Sequence, residues 1–148
     1  MTHDVEFTEL DHYRVYLLGH LIDHRFPQRS QKRFIESRAD LAYGEFINLR
    51  LEGRSVAYAQ EMAMRVLLAG LYVSPYDIIY NVLEENLWLR LPEPYWPAFA
   101  EHLLTLSPIK EILGRYEVNG DFLDRETHQP MLMELLGIIN EILDDNGL

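Results

Sequence analysis

Helix starts and stops recur along the whole of this 148-residue chain, and they confine it to an all-helical fold. The clearest start is Ser74-Pro75-Tyr76-Asp77. It offers a hydroxyl to take a free backbone N–H, a proline at the first helical position, where its missing N–H costs nothing, and an acid at the third. Ile78, Ile79, Val82, Leu83 and Leu87 then supply an apolar face. Upstream, Thr8 followed by Asp11 predicts a helix from about Thr8 to Arg25, with Leu10, Tyr13, Leu17 and Leu21 at helical spacing. Phe26-Pro27 ends it, because a residue before proline is pushed out of the helical region. Ser30 is expected to cap a second helix whose stripe is Phe34, Ile35, Arg38, Leu41, Ala42, Phe46 and Leu49, closed by Gly53.

The same logic continues to the end of the sequence. Ser55 opens a third helix carrying Ala59, Met62, Ala63, Val66 and Leu67, with Gly70 near its end. After the Ser74 helix, Pro92, Pro94 and Pro97 bracket an irregular stretch and start a helix through Phe99, Leu103 and Leu104. Ser107-Pro108 opens another, to about Tyr116. Glu117 to Glu126 reads as a loop turning at Asn119-Gly120-Asp121. Thr127 or Gln129 then begins a last helix with Leu132, Leu135, Leu136, Ile139 and Leu143 on one side. The expected architecture is all-α, a compact multihelical single domain of about seven helices over residues 1–148. Only Leu87-Trp88-Leu89-Arg90-Leu91 hints at strand alternation, and no fixed-period repeat points to a solenoid.

Hydrophobic residues make up 48% of the chain, enough for a core without external staples. With no cysteine, disulfides, thiolate zinc sites and cysteine nucleophiles are excluded. The acidic start MTHDVEFTELDHYR lacks the basic and apolar parts of a signal peptide. The longest apolar runs, such as Val66 to Val73, fall far short of the roughly 20 residues that span a bilayer. A cytoplasmic protein with no membrane partner is expected.

The formal charge is −11, unevenly placed: Arg25 to Arg54 holds seven bases against four acids, so the remainder carries −14. Such a field keeps a protein soluble, repels nucleic acid and favours basic partners.

With the helices placed, three stretches form a set: Phe34-Ile35-Glu36-Ser37-Arg38-Ala39-Asp40, then Ala59 to Leu71 (AQEMAMRVLLAGL), then Ser74-Pro75-Tyr76-Asp77. Together with Tyr13-Arg14 and Asp121-Phe122, they resemble an uncharacterised family of small bacterial proteins, a domain of unknown function. The resemblance spans nearly the whole chain. It implies an all-helical fold and an association with conjugative mobile elements, and it brings no catalytic residue, ligand or partner.

Four groups of side chains are candidates for a role. His20 and His24 stand one helical turn apart with Asp23 nearby, the beginning of a metal site but short of the three or four ligands zinc needs, so no metal and no cofactor is expected. Arg38 and Asp40 on the second helix and Gln60 and Glu61 on the third put polar groups among apolar ones. The expectation is a structural network in which Glu61 meets the Arg38 guanidinium. Arg25, Arg29, Lys32 and Arg33 surround a helix start and could contact phosphate, although a sequence pI near 4.9 disfavours nucleic acid. Trp88, Tyr95 and Trp96, set among Pro92, Pro94 and Pro97, are the expected interface, since such aromatics carry large rigid contact area; a corner of the core is the equal alternative.

No G-x-x-x-x-G-K-[ST], G-x-G-x-x-G or G-x-S-x-G occurs, so nucleotide chemistry and the common hydrolase arrangement lack support. The sequence favours a non-enzymatic interaction or accessory module whose partner is another protein or a second copy. The alternatives are nucleic-acid contact through Arg25 to Arg54 and an acidic mimic of DNA that occupies a basic protein, with an enzyme using His20, His24, Arg38 and Glu61 ranked last.

Overall fold

The computed structural model describes residues 8–116 and 125–148, with side chains of the last segment from His128 onward. Seven α-helices form among these residues, as the capping pattern predicts. They pack as two compact units, Met1–Leu71 and Tyr72–Leu148.

In the first unit, α1 (Glu9–Asp23) starts at Thr8, whose hydroxyl accepts from the Asp11 N–H while the Asp11 carboxylate accepts from the Thr8 N–H. A 3-10 turn, Pro27–Ser30, leads to α2 (Lys32–Leu51). Ser30 does not cap this helix: its hydroxyl donates back to the Pro27 carbonyl, and Gln31 stands at the N-cap with no side-chain bond. The proline fixes a tight turn that claims the serine first. Gly53, with φ +86°, allows the chain to leave α2, and Ser55 caps α3 (Val56–Leu67) by accepting from the Tyr58 N–H.

Ala39 and Ala42 of α2 and Ala59 and Ala63 of α3 are all fully buried, so small residues let these two helices approach closely. Tyr13, Leu17, Leu21, Phe26, Leu67, Leu68 and Leu71 complete this core. Burying Leu17 and Leu21 stabilises the unit by roughly 1.5–3 kcal/mol each. Leu41, assigned to the buried stripe of α2, is instead 61% exposed. It lies one residue from Ala42, about 100° round the helix, and the buried line follows the alanines.

In the second unit, Ser74 and Asp77 cap α4 (Pro75–Asn86) reciprocally, with the serine fully buried. Leu87 to Leu91 is not a strand but a run of turns, with the Leu87 carbonyl accepting from the N–H groups of Arg90 and Leu91. A short 3-10 turn, Glu93–Tyr95, passes into α5 (Trp96–Leu103), followed by α6 (Ser107–Arg115) and α7 (Arg125–Asp145). The last helix thus begins at Arg125, ahead of the expected Thr127 or Gln129; the Asn119-Gly120-Asp121 turn lies outside the described residues. Met131, Leu135, Ile139 and Leu143 of α7 meet Ile79, Leu83, Leu103 and Ile109 in the core of this unit.

Candidate functional site

Each group of polar residues singled out in the sequence has a position. Arg38 does not pair with Glu61. Its Nη1 donates to the carbonyls of Leu67, at 3.2 Å, and Ala69, at 2.6 Å, and its guanidinium lies 4.9 Å from the Phe34 ring centroid. The end of α3 leaves carbonyls without helical partners, and a long arginine from the neighbouring helix satisfies them. Burial pulls the Arg38 pKa down. Asp40 and Gln60 face solvent, and Glu61 pairs along its own helix with Arg65 at 3.2 Å. The expected network of Arg38, Asp40, Gln60 and Glu61 is therefore replaced by a single arginine clamp on a helix end.

His20 and His24 do lie together, with ring centroids 4.5 Å apart. His20 is committed elsewhere, however: its Nε2–H donates to the Leu71 carbonyl at 2.6 Å, and its ring stacks on Phe26 at 6.0 Å. That nitrogen cannot also bind a metal, and no group of three or more metal-ligating side chains occurs among the described residues.

Two of the four cations around the second helix are similarly engaged. Arg25, at φ +56°, donates to the Ile22 and Asp23 carbonyls and closes α1, and Arg29 donates to the Phe26 carbonyl at 2.9 Å. Lys32 stands 4.0 Å from Glu36, and Arg33 is exposed.

The aromatic cluster splits. Trp88 and Tyr95 are 58% and 61% exposed, whereas Trp96 is buried, its Nε1–H donating to the Leu91 carbonyl at 2.8 Å and its ring meeting Tyr80 edge-on at 5.9 Å. Trp96 thus belongs to the core and not to a contact surface. The proline-preset turn delivers it inward as the first residue of α5.

The surface feature that the sequence reading missed lies on α1. Val15, Leu18 and Ile22 are all exposed, on a face separate from the buried Tyr13, Leu17 and Leu21. With Ile35 of α2, Val15 and Leu18 floor a groove of about 370 Å³, rimmed by Arg14, Arg29, Lys32 and Glu36. The signal was present: spacings of three and four residues occur twice on this helix, once for the core and once for the outside.

Fold and surface together define an all-helical protein whose placed polar groups mostly secure helix ends, and which exposes an apolar groove with a mainly basic rim. The chain belongs to the family described as Domain of unknown function (DUF1896), which it matches over residues 5–148. It is similar to the crystal structure of protein PG0816 from Porphyromonas gingivalis, at 30% identity and a TM-score of 0.86, with 93% of each chain covered. None of the curated proteins compared matches it. No helix among the described residues is long and apolar enough to cross a membrane.

Proposed function

We propose that this chain is a non-enzymatic, cytoplasmic protein-interaction module, serving as an accessory to a mobile element, and that the groove between α1 and α2 receives its partner. The supporting observation is the second apolar stripe of α1: an exposed row of large side chains at helical spacing serves no purpose in folding and suits a partner helix laid alongside. Arg14, Arg29 and Lys32 against Glu36, the one carboxylate among the described lining residues, select an amphipathic helix with acidic flanks. Replacing Leu18, at the centre of the stripe, with Glu puts a carboxylate on that floor. L18E should change stability by no more than about 0.5 kcal/mol, as surface substitutions do, and abolish capture of the partner. The check is affinity capture from the native cell with parent and variant side by side; the same partners recovered by both would sink the groove as the contact surface.

A second reading rests on charge. Tyr72–Leu148 carries fourteen acids and four bases, whereas Met1–Leu71 carries ten and nine, so nearly the whole negative charge belongs to the second unit. That favours a basic protein as its partner, including one that would otherwise hold DNA. Capture of a DNA-binding protein that is lost with added salt, and unaffected by L18E, would support it over the groove.

A further inference from the structure

The groove between α1 and α2 suits an apolar body with acids beside it. Its floor is Val15, Leu18 and Ile35. Of the rim cations, Arg14 stands 3.3 Å from Asp11 and Lys32 4.0 Å from Glu36, whereas Arg29 donates to an uncharged group, the Phe26 carbonyl. The rim therefore keeps a positive excess among the described residues. A second groove laid face to face on the first would set these cations against their own kind, which disfavours a symmetric contact of this face with itself.

The chain itself carries a surface of the opposite character. Just after α4, Leu87 and Leu91 are buried, and Trp88 and Leu89 between them are exposed. The segment is held firmly: the Leu87 carbonyl accepts from the N–H groups of Arg90 and Leu91, as in a helical turn, and the Arg90 guanidinium donates back to Asn140, at 2.8 Å, to Asp144, at 2.7 Å, and to the Leu148 carbonyl. Two large apolar side chains are thus presented by an anchored turn, so little ordering is lost when they are covered. Exposed Glu84, Glu85 and Glu93 lie within five residues of them in the chain, in a unit with fourteen acids and four bases.

We propose that the groove takes a second copy of this chain, whose Trp88 and Leu89 lie on Val15, Leu18 and Ile35 while its neighbouring glutamates face Arg29 and Lys32. The inference rests on the groove being a contact surface. Because the two faces differ, the contact is head-to-tail. Each copy offers its groove to one neighbour and its Trp88 turn to another, and assembly grows with concentration into chains or a closed ring.

Sedimentation of the full chain from ~10 μM to ~1 mM should show a mean mass that rises with concentration, with a dissociation constant of about 0.1 mM or tighter, and that rises less in added salt. Leu18→Glu removes the groove, and Trp88→Ala combined with Leu89→Ala removes the turn. Each variant alone should stay monomeric, with a thermal midpoint near the parent's at low concentration, because all three positions are exposed. Mixed in equal amounts, the two variants should form a dimer that grows no further, since one intact groove and one intact turn remain between them. A parent that stays monomeric to ~1 mM overturns the proposal, and the groove as a contact surface is then judged separately by capture of another protein with and without Leu18→Glu. Self-association lost in Leu18→Glu but kept in the double variant also overturns it while leaving the groove in place, and self-association kept in both overturns the two readings together.

Discussion

Trp96 shows how one side chain decides between contact surface and core. Its indole is buried, bonded to the Leu91 carbonyl and set edge-on against Tyr80, so Trp96→Ala leaves both a cavity and an unmatched carbonyl. The expected loss is about 3–5 kcal/mol, a large part of the roughly 5–15 kcal/mol that holds a small domain together. Trp88→Ala, eight residues earlier but exposed, should stay within about 0.5 kcal/mol of the parent. Urea denaturation of the two variants checks both; a Trp96→Ala protein as stable as the parent would remove it from the core.

At the scale of elements, α6 and α7 are held by a surface cluster whose charges respond to pH. Glu134 accepts the hydroxyl of Tyr116 and faces Arg115 with both oxygens, at 3.0 and 3.3 Å. The tyrosine hydrogen bond, and after it the arginine, hold the Glu134 carboxyl below its ordinary 4.5; the same hydrogen bond raises the Tyr116 pKa. A depressed carboxyl stabilises the fold above its unfolded value and ceases to as pH falls through the folded one. The Glu134 contribution is therefore complete above 4.5 and fades below it, and the Asp11 carboxyl, lowered chiefly by the Thr8 backbone N–H, behaves likewise below 3.8. Tyr116 acts in the opposite direction, its contribution fading as pH rises past 10.0 through the raised folded value. Glu134→Gln should flatten the fall of stability on acidification without abolishing it, since Asp11 remains. Denaturation midpoints measured from neutral pH down to below 4.5 test this; an identical slope in parent and variant would show that the cluster carries no linkage.

Over the whole molecule, the two units differ in charge far more than in architecture. Each is built of helices around its own apolar cluster, yet one is close to neutral and the other strongly acidic. The acidic unit can tolerate this because self-repulsion among exposed carboxylates is weak in water and further screened by salt. The far-ultraviolet circular dichroism of the chain should be dominated by helix. A β-rich spectrum would contradict both the capping pattern and the packing.

Local chemistry made most of the helices legible in the sequence. Thr8 with Asp11, Ser55, and Ser74 with Pro75 and Asp77 each act through atoms within three residues of themselves, and all three starts stand where the sequence puts them. The side chains read as sites were harder, because their partners are distant in the chain. Arg38 was correctly drawn toward the core by its register, but the carbonyls of Leu67 and Ala69 that receive it are about thirty residues away and carry no side-chain signature. His20 likewise meets the Leu71 carbonyl across fifty-one residues, and a backbone acceptor looks the same whatever residue bears it. Ser30 yielded to a proline turn, and Trp96 was turned inward by another. The sequence alone determined that the chain is helical, where most of its helices start, and that its charge is lopsided, because caps, periodicity and composition are local properties. Only the tertiary structure decided which of two apolar stripes on α1 is buried, which tryptophan is exposed, and which arginines are engaged, because each depends on what another part of the chain brings within a few ångströms.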